Sequence, residues 1–206
     1  MIAGISFKQR PSRNGMAFVF IAPASVRACR NLQSPVPSPF AAANRMAALA
    51  AFTARSLRTS SPRPFGAAIV HSLTGKVLLR ALNAVRQEFD PSAHAEVRAI
   101  RLAAKRLKTI SLAGYTLYTT CEPCPMCMSA ALWAGLDRVV YGAAIEDANR
   151  HCSQILISAT EVLARSDMKC VVEGPLLREQ CYALFTHPRM LRAFRTWHSR
   201  KRSRTN

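Results

Sequence analysis

Two cysteines three residues apart, Cys124 and Cys127, stand in a Pro-Cys-Pro-Met-Cys run directly behind the strand-like segment 115–120. On a helix, that spacing puts both side chains on one face. A helix N-terminus carries partial positive charge and unsatisfied N–H groups, which favours thiolates. Pro125 suits the first helical position because the N–H it lacks would be unpaired there anyway. Such a pair serves as a redox dithiol, as half of a structural zinc site, or as part of a catalytic one. A structural site commonly needs a second Cys-x-x-Cys, whereas Cys29, Cys121, Cys152, Cys170 and Cys181 are all single. No thioredoxin-like sequence flanks the pair.

Thirty residues upstream, in Pro-Ser-Ala-His-Ala-Glu-Val, His94 and Glu96 lie on either side of Ala95, where another helix begins. One neutral imidazole and two thiolates form a three-ligand set that leaves tetrahedral zinc an open position for water. Zinc lowers the pKa of that water from 15.7 to about 7. Glu96, not a ligand, can then take the water's proton and pass it on. Singly, His94 reads as a polar helix-start residue and Glu96 as a partner of the helix dipole; their coincidence with the cysteine pair sets them apart. His71, His151, His187 and His198 have no such company. Cys121 reads as a small packed hydrophobe on a strand, and Met126, Met128, Leu132 and Trp133 read as core.

The elements that must position these residues alternate. The sequence predicts a helix over 47–57, then strands over 65–72 and 76–82 joined through Thr74-Gly75, a hairpin signal. A helix over 94–107 follows, with Val97, Ile100, Leu102, Ala103 and Leu107 set among arginines and lysines. Next come a strand over 115–120, a helix over 124–135 closing on Gly135, and a strand over 137–143. Helix 160–166, strand 169–174, helix 176–185 and a terminal helical pattern through Met190, Leu191, Phe194 and Trp197 complete the chain. This order predicts an α/β domain, a three-layer α/β/α sandwich around a mixed central sheet.

The net charge of +18 sits at the ends. Residues 1–63 hold nine Lys/Arg and no acid, residues 189–206 hold seven and no acid, and residues 64–188 hold 13 bases against 11 acids, a balance of +2. Residues 1–43 are Arg-, Ser- and Pro-rich without hydrophobic periodicity, and read as a disordered extension or one ahead of the true start at Met46. A secretory or organelle-targeting leader is the alternative there. Residues 44–187 read as the catalytic domain, and 188–206 as a C-terminal helix with a basic tail. No apolar run approaches the roughly 18 residues that span a bilayer. Seven irregularly spaced cysteines predict reduced thiols in a cytoplasmic setting.

Four segments in this order, "RPFGAAIV", "HAEVRAI", "LYTTCEPCPMC" and "RVVYGA", resemble the cytidine deaminase-like superfamily over about 46–185, within its purine and nucleoside branch. His-x-Glu followed by Pro-Cys-x-x-Cys is the signature of its zinc deaminases. The resemblance implies a zinc hydrolytic deaminase, usually a homodimer, in which His94, Cys124 and Cys127 bind Zn2+ and Glu96 shuttles protons during attack by zinc-bound hydroxide. It also implies substrate contacts from Asn83 and from the backbone around Ala95 and Cys124. The tRNA adenosine deaminases are similar in the zinc motifs, but the Arg-Asp and Lys-Thr-Gly stretches usual after their fourth strand are replaced here by "AAIEDANRHC". Guanine deaminases place an Asp soon after that strand, a position open to Asp147, with Glu146 as the near alternative. A carboxylate suits guanine's donor edge, although both acids could simply begin a helix. A near-neutral domain favours a nucleobase or nucleoside over tRNA as substrate, and an intact Glu96 counts against a non-catalytic zinc scaffold.

Overall fold

A computed structural model describes the backbone of residues 39–202 and the side chains of residues 40–197. The expectations for residues 1–38 and for the tail beyond 202 lie outside the described residues. Ala67 and Ile69 are buried on one side of the first strand, Ala68 and Val70 on the other. A strand apolar on both faces needs helices on both.

The strands are β1 (Gly66–His71), β2 (Val77–Leu82), β3 (Tyr115–Cys121), β4 (Arg138–Ala143) and β5 (Val171–Glu173), in the spatial order β2-β1-β3-β4-β5. β1 runs antiparallel to β2 and to β3, whereas β3–β4 and β4–β5 are parallel, so the sheet is mixed as expected. Gly75, at φ +69°, makes the β1–β2 turn in a conformation that side-chain-bearing residues rarely adopt.

On one face, α1 (Pro39–Ser56), α6 (Arg178–Thr186) and α7 (Pro188–Arg202) supply Met46, Leu49, Phe185, Met190 and Phe194 to one core. On the other, α2 (Ala95–Leu107), α3 (Pro125–Trp133) and α5 (Ala159–Ala164) share a second core around Ile69, Leu117 and Val139. The short α4 (Ile145–Asn149) follows β4. α2 buries Ala95, Ala99, Ile100 and Ala103 along one stripe and ends at Lys108, whose left-handed backbone caps it. Among the described residues, no helix is long and apolar enough to cross a membrane.

Two expectations change. α1 starts at Pro39, eight residues before the predicted start, because the Ala-rich run ahead of Met46 is itself a good helix former and proline suits its first position. Met128 and Leu132 of α3 are core, but Met126 is 37% exposed and Trp133 79% exposed. α3 is apolar on nearly every side while only one side meets the sheet. α7 is bound into the fold through fully buried Met190 and nearly buried Phe194, the latter's ring packing edge-on against Trp197 at 5.0 Å.

Phe185 is fully buried with its ring 5.2 Å from that of Phe65, at the junction of α6 with the segment entering β1. Phe185→Ala is expected to cost about 3–5 kcal/mol of unfolding free energy, read from urea denaturation.

Candidate metal centre and active site

The N-termini of α2 and α3 converge at the C-terminal ends of the central strands. His94 is the N-cap residue of α2 (φ −64°, ψ 154°) and Cys124 that of α3 (φ −64°, ψ 167°), and neither side chain makes a capping hydrogen bond. Both cap side chains are turned instead to each other: His94 Nδ1 lies 3.7 Å from Cys124 Sγ and 3.5 Å from Cys127 Sγ. The three ligand atoms lie within 4.8 Å of one another. Tetrahedral zinc with bonds near 2.0–2.1 Å to nitrogen and 2.3 Å to sulfur needs N···S separations of roughly 3.6 Å. The three side chains therefore fit a zinc ion, which they would hold through one imidazole nitrogen and two thiolates.

Glu96, the second residue of α2, is 5% exposed and close to this cluster. The Thr119 hydroxyl donates to its Oε1 at 2.9 Å, and the Cys127 thiol to its Oε2 at 3.6 Å. Burial raises the Glu96 carboxyl above the usual carboxylate range, against the opposing pull of His94 and Thr119. The neighbouring Cys127 thiol, with help from His94, holds Cys124 down to about 4, while Cys127 is pushed well up by its closeness to Cys124 and by burial. The bond with Cys124 raises His94 against the effect of its burial. A thiolate at a helix N-cap suits the field of two positive helix ends.

These residues open on a cleft of about 1540 Å3, lined near the cluster by Phe65, Asn83, Cys121 and Glu122. Asn83 follows β2 directly; its N–H donates to the Phe65 carbonyl, and its side-chain Oδ1 accepts from the Val85 N–H at 3.2 Å. The carboxamide is thus oriented by its own turn, with its NH2 group left to donate. Ala95 is fully buried and reaches the site only through the backbone at the start of α2. Asp147 is placed apart from the cleft. It is 1% exposed, accepts from the Ala144 N–H at 3.2 Å, and is clasped by Arg178 through Nε at 2.8 Å and Nη2 at 2.6 Å. Burial alone would raise its carboxyl, but these donors outweigh that and hold it below the usual value. Its structural work is to start α4 and tie it to α6. Glu146 is exposed and does not line the cleft.

Two supporting residues went unrecognised in the sequence. Thr119 is found by counting in twos along β3, since it shares the α2 side of the sheet with Leu117. Glu122, 6% exposed, accepts from the N–H groups of Ile145 at 3.2 Å and Ala159 at 2.9 Å, and so binds the loop that carries Cys124 to the starts of α4 and α5. Those partners lie 23 and 37 residues away, and nothing local distinguishes Glu122 from an ordinary loop acid.

Metal uptake must remove the Cys127 proton and whatever proton His94 carries. Loading of a single zinc ion at pH 7 is therefore expected to release about one to two protons, measured by calorimetry in buffers of different ionisation heat. Both shifts are upward, so affinity weakens as pH falls below neutral, and Cys127→Ser abolishes tight binding.

The family model described as the cytidine and deoxycytidylate deaminase zinc-binding region matches residues 41–143. The chain is 48% identical over 85 residues to a guanine deaminase of Bacillus subtilis, across 41% of this chain and 53% of that protein. It thus spans about half the length of that relative. It is also 38% identical over 118 residues to a tRNA-specific adenosine deaminase of Bacillus subtilis, across 57% of this chain and 70% of that one. A solved structure from work on A-to-I editing by tRNA:A34 deaminases superposes with a TM-score of 0.58 at 29% identity, covering 68% of this chain and 99% of the other. With the mixed five-stranded sheet and its paired helix N-termini already described, these matches show that the chain belongs to the cytidine deaminase-like superfamily, in the group defined by its zinc-binding region.

Proposed function

We propose that this protein is a hydrolytic deaminase that removes the amino group from a purine ring carbon, with guanine or a guanine nucleoside as substrate. The observation that carries the reading is a buried carboxylate, Glu96, beside a three-ligand metal set at the inner end of a cleft. A zinc ion held by His94, Cys124 and Cys127 supplies Lewis acidity that makes water a nucleophile near neutral pH.

The chain's own groups do the rest. The Thr119 hydroxyl fixes Oε1 of Glu96, so Oε2 is the oxygen that moves protons. Deprotonation of Cys127 frees that oxygen from the thiol that donates to it. Glu96 takes a proton from the attacking water and delivers it to the ring nitrogen beside the attacked carbon. It then carries the second proton to the departing amino group: a C–O bond forms, the C–N bond breaks, and ammonia leaves a keto base. A carboxyl raised toward neutral pH suits a group that both accepts and donates. The Asn83 amide donates to an acceptor on the ring and fixes its register.

Deamination of adenosine in tRNA is the second reading, favoured by the 38% identity over 118 residues with the tRNA-specific enzyme. Seven irregularly spaced cysteines support a reducing, cytoplasmic compartment. The outward Met126 and Trp133 of α3 support a homodimer.

Two measurements test this. Glu96→Gln is expected to retain zinc and lower kcat for ammonia release by at least about 100-fold, the usual worth of positioned acid–base catalysis; release from guanine or guanosine, and none from adenosine or tRNA, supports the first reading. Trp133→Glu is expected to halve the mass seen by light scattering while preserving the circular dichroism spectrum.

A further inference from the structure

The cleft is larger than the about 300–1,000 Å3 usual for small-molecule sites. Beyond the metal cluster its wall is built by four cations, Arg63, Arg86, Arg189 and Arg192, with Trp197 among them. Two come from α7 and two from the segments that flank β1 and β2 on the Asn83 side. Among the described residues the carboxylates lining the cleft are Glu96 and Glu122, both already held, the first by Thr119 and the second by backbone N–H groups. None of the four arginines is in an ion pair among the described residues.

Arg63 states the need most directly. Its Nε is buried and has no hydrogen-bond partner, and its charge is disfavoured by burial and by nearby Arg98. A buried Nε–H without a partner favours a hydrogen-bond acceptor beside it, and the charge of the guanidinium favours an anionic one. Arg86 lies over the Trp197 ring at 6.0 Å, which sets its fork beside an aromatic face. Arg189 is steadied by Nη1 bonds to the Arg58 carbonyl at 2.8 Å and the Thr59 carbonyl at 3.4 Å. Guanidinium forks match phosphate oxygens, and an aromatic face beside them suits a sugar or a second base.

We infer that the arginine wall formed by Arg63, Arg86, Arg189 and Arg192 is a phosphate subsite, so that the substrate is a nucleotide whose purine reaches Glu96 while its phosphate ester rests on the wall. This inference rests on the deaminase reading above and deepens it: a phosphorylated substrate replaces the bare base or nucleoside. The balance of +2 between residues 64 and 188 does not reveal the subsite, because the helix that supplies half of it begins at Pro188.

The test is calorimetric binding to the zinc-loaded Glu96→Gln protein, which holds substrate without turnover. Guanosine, adenosine and cytidine are each compared with their 5′-monophosphates and with a single-stranded oligoribonucleotide. At least one monophosphate is expected to bind about tenfold or more tighter than its nucleoside, the worth of one or two charge-assisted bonds. That ratio is expected to collapse in Arg86→Ala/Arg192→Ala and to persist in Arg165→Ala, which removes an exposed arginine paired with Glu161 instead. An oligonucleotide bound more tightly still, with affinity falling steeply as salt rises, assigns the phosphate to a strand; otherwise it belongs to a free nucleotide. Equal binding of nucleoside and monophosphate, a ratio that survives the double replacement, or no nucleotide binding at all overturns the subsite. Failure of the deaminase reading is seen separately, as nucleotide binding to a wild-type enzyme that releases ammonia from none of these compounds.

Discussion

Two helix N-termini, those of α2 and α3, are brought face to face, and the rest of the site follows from that constraint. Like partial charges repel, so the pair of ends is stable only if anions or an imidazole–thiolate pair stand between them. The chain places Cys124, Cys127 and Glu96 there and uses the cap positions themselves, His94 and Cys124, as ligands rather than caps. Giving up a side-chain cap costs about 1 kcal/mol at each helix. That loss is a local departure from good helix design, and such departures concentrate where a protein does chemistry. The sheet makes the convergence possible: α2 starts after β2 and α3 after β3, and both strands run antiparallel to β1, so the two helices begin at the same end of the sheet.

A second shell of ties holds that arrangement. Glu122 binds the starts of α4 and α5 to the loop ahead of Cys124, Asp147 and Arg178 bind α4 to α6, and Thr119 reaches from β3 to orient Glu96. Each tie ends on a helix N-terminus or on the Glu96 carboxylate; those of Glu122 and Thr119 fix groups beside the cleft, whereas the Asp147–Arg178 pair braces α4 away from it. α7 closes the other side of the cleft while its Met190 and Phe194 are locked in the core, which sets its arginines on a rigid support.

The metal set was legible in the sequence because it is local chemistry: Cys-Pro-x-Cys and His-x-Glu each sit at a helix start, and helix starts are announced by proline and by the polarity switch around them. The sheet and its order of helices were legible for the same reason, through periodicity. What escaped depended on distant partners. Asp147 looked available for a substrate because Arg178, 31 residues on, is invisible to local reading. Glu122 looked like a loop acid, and Trp133 looked like core because α3 is apolar on faces the sheet never touches. The charge balance hid the arginine wall for another reason: the sum over residues 64–188 counts only Arg86 of its four cations, and Arg63, Arg189 and Arg192 fall in the basic flanks.

The central claim is that His94, Cys124 and Cys127 alone from this chain bind the metal and that Glu96 stands beside it without binding. X-ray absorption at the zinc edge tests it most directly. The account predicts two sulfur atoms at about 2.3 Å and nitrogen or oxygen neighbours near 2.0 Å, with a spectrum unchanged in Glu96→Gln. A shell with four sulfurs, or one that loses an oxygen ligand when Glu96 is replaced, would contradict it.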